Sequence, residues 1–166
     1  MNNELEIIEI SKSHFEQVKD LLVELQKYVI EIDKYHLNIL SSDYRDKYFE
    51  YMIHDCKLND GKVFVALQND AVLGMIAGYV ERYSDRDKLD YACPKKGIIA
   101  ELIVAKNSRK DGVGTKLLSK MEEYFKTIGC EYIQIDVFAY NENAKKFYYN
   151  KGYDDRMITV FKKIEK

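Results

Sequence analysis

The chain has 166 residues, with 26 basic against 28 acidic side chains, 46% hydrophobic residues and a single proline. That length fits one domain spanning residues 1–166, and the apolar content supplies a core that a disordered chain lacks. The charge nearly cancels, which leaves no basic excess to hold nucleic acid, and no apolar run reaches the length of a membrane span.

In chain order, Leu5 to Ile10 roughly alternates and reads as a first strand. Ser13 can cap a first helix, with Glu16 three residues on completing a capping box. Phe15, Val18, Leu22, Leu25, Val29 and Ile32 then recur at helical spacing. Tyr44 to Lys57 reads as a second helix, with Tyr48, Tyr51 and Met52 on one side as a packing face; Asp33 to Asp43 has no clear assignment. Lys62 to Leu67 and Val72 to Val80 flank Asn69-Asp70 and predict a hairpin. Gly74 and Gly78 inside the second run point to a bulge or a close backbone approach. Ser84 to Lys96 is polar and predicts an exposed loop.

Gly97 to Ala105 reads as a strand, followed by a glycine loop and a helix with Val113, Leu117, Met121, Phe125 and Ile128 on one face. Glu131 to Phe138 alternates as a strand, Asn141 to Lys151 reads as a short helix, and Tyr153 to Lys163 as a strand or a pair of strands. The order β-α-α-β-β-β-α-β-α-β predicts an α/β fold, a mixed sheet with helices packed on it.

Cys56, Cys93 and Cys130 are odd in number and widely spaced, which excludes a disulfide framework or a cysteine zinc site. His14, His36 and His54 are isolated, so no metal is expected. Met1 to Ile10 lacks the apolar core of a signal peptide, so the expected compartment is the reduced cytoplasm.

The stretch that carries chemistry runs from Ile98 to Thr115. A buried strand leads into Arg109-x-x-Gly112-x-Gly114, and a helix starts immediately afterwards. A helix N-terminus leaves backbone N–H groups unpaired and carries partial positive charge, so it attracts phosphate. Gly112 and Gly114 keep side chains away from a diphosphate, Arg109 and Lys110 add charge, and Thr115 offers a hydroxyl. Two glycines making a plain turn would look the same, and short glycine motifs arise by chance. A Walker A loop is excluded because Gly114-Thr115-Lys116 has the order wrong, and a dinucleotide fingerprint would need a third glycine after a first strand.

The run Glu101-Leu102-x-Val104 followed by Arg109-x-x-Gly112-x-Gly114 resembles the central motif of the GNAT superfamily of N-acetyltransferases. Asn141-x-x-Ala144-x-x-Phe147-Tyr148-x-x-x-Gly152-Tyr153 is similar to that family's later motif, at a matching separation. The resemblance is specific from Ile98 to Tyr153 and rests on element order before that. It implies a mostly antiparallel sheet with helices on both faces, acetyl-CoA as co-substrate, and a splayed fourth strand that pairs with pantetheine.

Carried onto this chain, the resemblance assigns Leu102, Ile103 and Val104 to the pantetheine arm. The loop Arg109, Lys110, Asp111, Gly112, Val113, Gly114 and Thr115 falls to the pyrophosphate, and Asn141 to the cofactor arm. Tyr148 becomes the acid for the leaving thiolate. Glu101, a carboxylate in an otherwise apolar strand, is the candidate base; it also reads as a strand residue bonded to a nearby Arg or Lys. The expected reaction is acetyl transfer to a primary amine of a small molecule, without metal, nucleic acid or membrane, and a homodimer is compatible. A protein acetyltransferase and a non-catalytic CoA sensor remain alternatives. The acidic loop residues Asp85, Asp87 and Asp90 suit a polycationic acceptor and equally a solvated loop. Tyr28, Tyr35 and Tyr83, with the tyrosines of the second helix, are candidates for the acceptor wall.

Overall fold

A computed structural model describes residues 4–164, so the first three residues of the N-terminal segment and the last two of the chain lie outside the description. The described residues form two compact units, one ending at Asp136 and one beginning at Val137. In the first, β1 (Glu6–Glu9), β2 (Lys62–Gln68), β3 (Ala71–Val80), β4 (Lys96–Val104) and β5 (Tyr132–Ile135) make one sheet in that order. The first three pairings are antiparallel and β4 with β5 is parallel, so the mixed, mostly antiparallel sheet forms as expected.

Alternation along the strands divides the core between the two faces. Val63 and Val65 of β2 and Met75 and Ala77 of β3 cluster with α1 (Phe15–Ile32) and α2 (Tyr44–Leu58) through Val18, Leu22, Phe49 and Met52. The opposite face meets α3 (Val113–Thr127), whose Leu117, Leu118, Met121 and Phe125 are at most 1% exposed. Gly74 and Gly78 permit that approach: a Cβ on either would sit 3.1 Å from Leu117 Cδ1 or 2.9 Å from Phe125 Cζ. The β2–β3 turn has the positive φ at both Asn69 and Asp70 (49° and 64°) that a tight hairpin requires.

The connection between α1 and α2, unassigned from sequence, is organised by one buried carboxylate. Asp33 accepts hydrogen bonds from the N–H groups of Tyr35, Leu37 and Asn38 and from Asn38 Nδ2, at 2.6–3.0 Å. The Asn38 bonds, first among these, hold its pKa down at about 2.

Two sequence expectations are corrected. The first helix is entered not from Ser13 but through a 3-10 turn, Lys12–His14, with the Ser11 N–H donating to His14 Nδ1 at 3.1 Å. Glu16 is thereby freed from capping and pairs with Lys19 and Arg45. The strand or strand pair expected over Tyr153 to Lys163 is absent: residues 153–164 have no regular structure, and Met157, Ile158 and Val160 are 79–88% exposed. Apolar, β-branched residues favour a strand only where another strand completes the ladder. The second unit's regular element is α4 (Glu142–Tyr149), within the short helix expected there.

Candidate active site

The site begins with a break in the sheet. β4 pairs with β5 only from Lys96 to Ile99, and from Ala100 on it has no strand neighbour on that side among the described residues. The same point carries a bulge: Glu101 lies opposite Ala77 but Ile99 opposite Gly78, so Ala100 is the extra residue. The Ala105 N–H donates to Leu73 O at 2.8 Å, toward β3. Because strand residues alternate, Ile103 and Glu101 also direct their peptide groups to β3, whereas Leu102 and Val104 direct theirs to the open edge. The Val104 carbonyl there accepts from Arg109 Nε at 3.0 Å. Ile103 is 4% exposed and packs in the core cluster, so of these three residues Leu102 and Val104 are the ones whose peptide groups face the open edge.

Beyond β4 a 3-10 turn, Lys106–Ser108, leads to Arg109, whose Nη2 also pairs with Glu24 of α1 at 3.0 Å. Lys110 has φ 77°, and Gly112, at the N-cap of α3, has φ 77°. The first intrahelical bond runs from the Lys116 N–H to Gly112 O at 3.0 Å, and no side chain caps the helix. The amides of Val113, Gly114 and Thr115 therefore precede any helical acceptor, on a left-handed glycine that carries no side chain over them. Val113 is buried and anchors the turn in the core, while Asp111 is exposed.

On the α2 face, the bulge presents Glu101 to a cleft of about 300 Å³ lined by Tyr48, Tyr51, Met52, Asp55, Tyr79, Ile98, Ile99, Ala100, Glu101 and Asp136. The Glu101 carboxylate takes a hydrogen bond from the Tyr48 hydroxyl. Burial raises its pKa above the ordinary value, and the Tyr48 bond offsets part of that rise. The phenols of Tyr48 and Tyr44 are pushed up by burial and by the Glu101 charge, so both stay protonated. Tyr79 is raised by burial and then by Asp55, with Asp136 contributing. Among the described residues no basic side chain lines the cleft. Among them, too, Asp55, Glu101 and Asp136 have no ion pair, in a molecule that elsewhere pairs its surface charges freely.

In the second unit, the Asn141 side chain caps α4 by accepting from the Ala144 N–H at 3.2 Å. Tyr148 is buried, with ring centroids 5.1 Å from Phe147 and 5.6 Å from Tyr153. Among the described residues no group of His, Cys, Asp and Glu is placed to hold a metal ion, and no helix is long and apolar enough to cross a membrane.

Sequence reasoning missed Asp55, Tyr79 and Asp136. Asp55 lies two helical turns after Tyr48, so a search for polar residues on the face of Tyr48 and Met52 would have found it. Tyr79 and Asp136 carry no such signal, because only the sheet brings them to the cleft. Tyr28, Tyr35 and Tyr83 do not line it; Tyr83 donates to Pro94 O at 3.0 Å instead.

The model of the acetyltransferase (GNAT) family matches residues 28–153. An uncharacterised N-acetyltransferase of Methanocaldococcus jannaschii is 36% identical over 86 residues, which are 51% of this chain and 50% of that protein. The match thus spans about half the length of the curated relative. Among solved structures, a mutant protein from Bacillus halodurans has TM-score 0.81 at 17% identity, covering 96% of this chain and 99% of that one. AAC(6')-Iy in complex with the bisubstrate analogue CoA-S-monomethyl-acetylneamine has TM-score 0.68 at 15% identity, covering 98% and 99%. An aminoglycoside acetyltransferase from an uncultured soil metagenomic sample has TM-score 0.66 at 20% identity, covering 99% of each.

Proposed function

Because this chain belongs to the acetyltransferase (GNAT) family, we propose that it moves the acetyl group of acetyl-CoA to a primary amine of a small cationic molecule. The observation that carries this reading is the double use of β4. Its outer edge offers the peptide groups of Leu102 and Val104 beyond the end of the β5 ladder, and its α2 face delivers Glu101 to an acidic cleft.

Bound acetyl-CoA supplies the thioester whose acetyl carbonyl the amine attacks. The peptide groups of Leu102 and Val104 hold the pantetheine arm in the manner of an added strand. The amides of Val113, Gly114 and Thr115 hold the diphosphate at the positive end of α3. Lys110 adds charge to the loop, Asp111 and Gly112 contribute main chain, and Arg109 braces it through Val104 and Glu24. Asn141 is assigned to the cofactor arm on its motif position.

Glu101 takes the proton from the incoming ammonium, a task that suits a carboxylate raised toward neutral pH. The Leu102 N–H polarises the acetyl carbonyl. Tyr148 is assigned as the acid for the departing thiolate on its place in the second motif. Asp55 and Asp136 support a cationic acceptor, since uncompensated carboxylates draw an ammonium into the cleft. The names of two structural neighbours, an aminoglycoside acetyltransferase and a CoA–acetylneamine complex, agree with an amine of that kind.

A thiol-release assay with acetyl-CoA across small mono- and diamines tests the reading. Release that depends on the amine is expected. Tight CoA binding with no release for any acceptor, peptides included, would turn the chain into a CoA-binding module.

A further inference from the structure

Tyr48 belongs to neither motif that carries the family resemblance, yet its hydroxyl is the hydrogen-bond partner of the Glu101 carboxylate among the described residues. Its ring is fixed from two directions. The neighbouring positions Phe49, Met52 and Cys56 of α2 are buried in the core cluster. Tyr44, one turn earlier, stacks on Tyr48 with centroids 4.7 Å apart and planes inclined by 14°. From the other side, the bulge at Ala100 brings Glu101 to the same point.

We propose that Tyr48 is a positioning residue for Glu101: its hydroxyl holds Oε1 and leaves Oε2 to accept the proton of the incoming ammonium. The inference rests on the assignment of Glu101 as the base. A glutamate side chain has three rotatable bonds, and a base that wanders among rotamers loses the near-attack geometry that proton transfer requires. A single donor on one oxygen removes that freedom without occupying both acceptors. Burial keeps the Tyr48 phenol protonated, so it donates to the carboxylate throughout the working pH range.

Tyr48→Phe keeps the ring, the stack on Tyr44 and the cleft wall, and removes only the hydroxyl. The experiment is the pH profile of kcat/KM, with the wild type, Glu101→Gln and Tyr124→Phe measured alongside. The last removes a phenol of α3 bonded to Asp60 O at 2.8 Å and controls for loss of a hydroxyl elsewhere in the fold. In Tyr48→Phe, kcat is expected to fall about 10- to 100-fold, less than the full contribution of a general base because the base itself is kept, with little change in amine KM. Its acid limb is expected to move up by about one unit, because the carboxylate has lost a donor. Tyr124→Phe is expected to leave the limb in place.

An unmoved limb with unchanged kcat overturns the proposal, and so does a rise in amine KM alone, which would make Tyr48 a wall of the cleft. Should Tyr48→Phe melt far below the wild type, the limb is read at lower temperature, where the folded fraction is restored. Glu101→Gln separates the two assignments. Near-full activity in that variant removes Glu101 as the base, whereas loss of activity there with an unmoved limb in Tyr48→Phe removes the positioning role alone.

Discussion

The two halves of the candidate site are made of different kinds of atoms. The half assigned to CoA is main chain: the peptide groups of Leu102 and Val104 past the end of a strand pairing, and the first amides of α3 behind a left-handed glycine. The half assigned to the amine is side chain, with Tyr48 and Asp55 from α2, Tyr79 from β3, Glu101 from β4 and Asp136 after β5. Backbone groups need a particular local conformation, which a few adjacent residues specify. A side-chain cleft needs only that distant segments meet, and its chemistry changes with any one of them. The first half is therefore built to keep one ligand, and the second can be altered to choose among many.

Glu101→Gln is the largest blow to the side-chain half. It should lower kcat/KM by roughly 10²- to 10⁴-fold, the usual contribution of a general base, while calorimetry shows CoA affinity unchanged. The wild-type acid limb should lie above the ordinary carboxylate range, because burial raises Glu101 and the base works only when deprotonated. Activity that persists below about pH 4, near the ordinary glutamate pKa, would remove that assignment.

Gly112→Val strikes the backbone half. An added Cβ at Gly112 would meet no protein atom within 4 Å, so within the chain itself the damage comes from φ. A β-branched residue there carries strain of about 1–3 kcal/mol, and relieving it moves the loop. CoA affinity should weaken about tenfold or more, whereas Gly112→Asn, which tolerates this φ and adds only its side chain beside the diphosphate, should weaken it less. Equal affinities for all three proteins would contradict the loop assignment.

Tyr148→Phe should lower kcat about tenfold, below the usual acid–base contribution because a thiolate leaves readily without full protonation, with less change in CoA affinity; an unaltered rate excludes it as the acid. The smallest effect is expected from Asp55→Asn. Amine KM should rise about three- to tenfold for a dication and less for a monocation, as for loss of one exposed charge at a polar rim. Uniform KM values across both amines would show that Asp55 does not read the acceptor.

The same division explains what was legible in the sequence. Asn69-Asp70 announced its hairpin because few residues accept positive φ, and Arg109-x-x-Gly112-x-Gly114 announced its loop for the same reason. Glu101 stood out as a charge in an apolar strand, but its partner proved to be a tyrosine 53 residues away, not a neighbouring Arg or Lys. Ser13 was the expected cap, but the N-cap falls on Ser11, because His14 offers Nδ1 to the Ser11 N–H, a pairing that no Ser-to-Glu spacing announces. The apolar, β-branched run after Tyr153 suggested a strand or pair of strands that residues 153–164 do not form, since composition alone supplies no ladder partner.

The most direct test of the division is residue-resolved amide hydrogen exchange with and without CoA. Slowed exchange is predicted at Leu102, Val104, Val113, Gly114 and Thr115, with the amides of α2 unaffected. Protection confined to α2, with those five amides exchanging as before, would contradict the account.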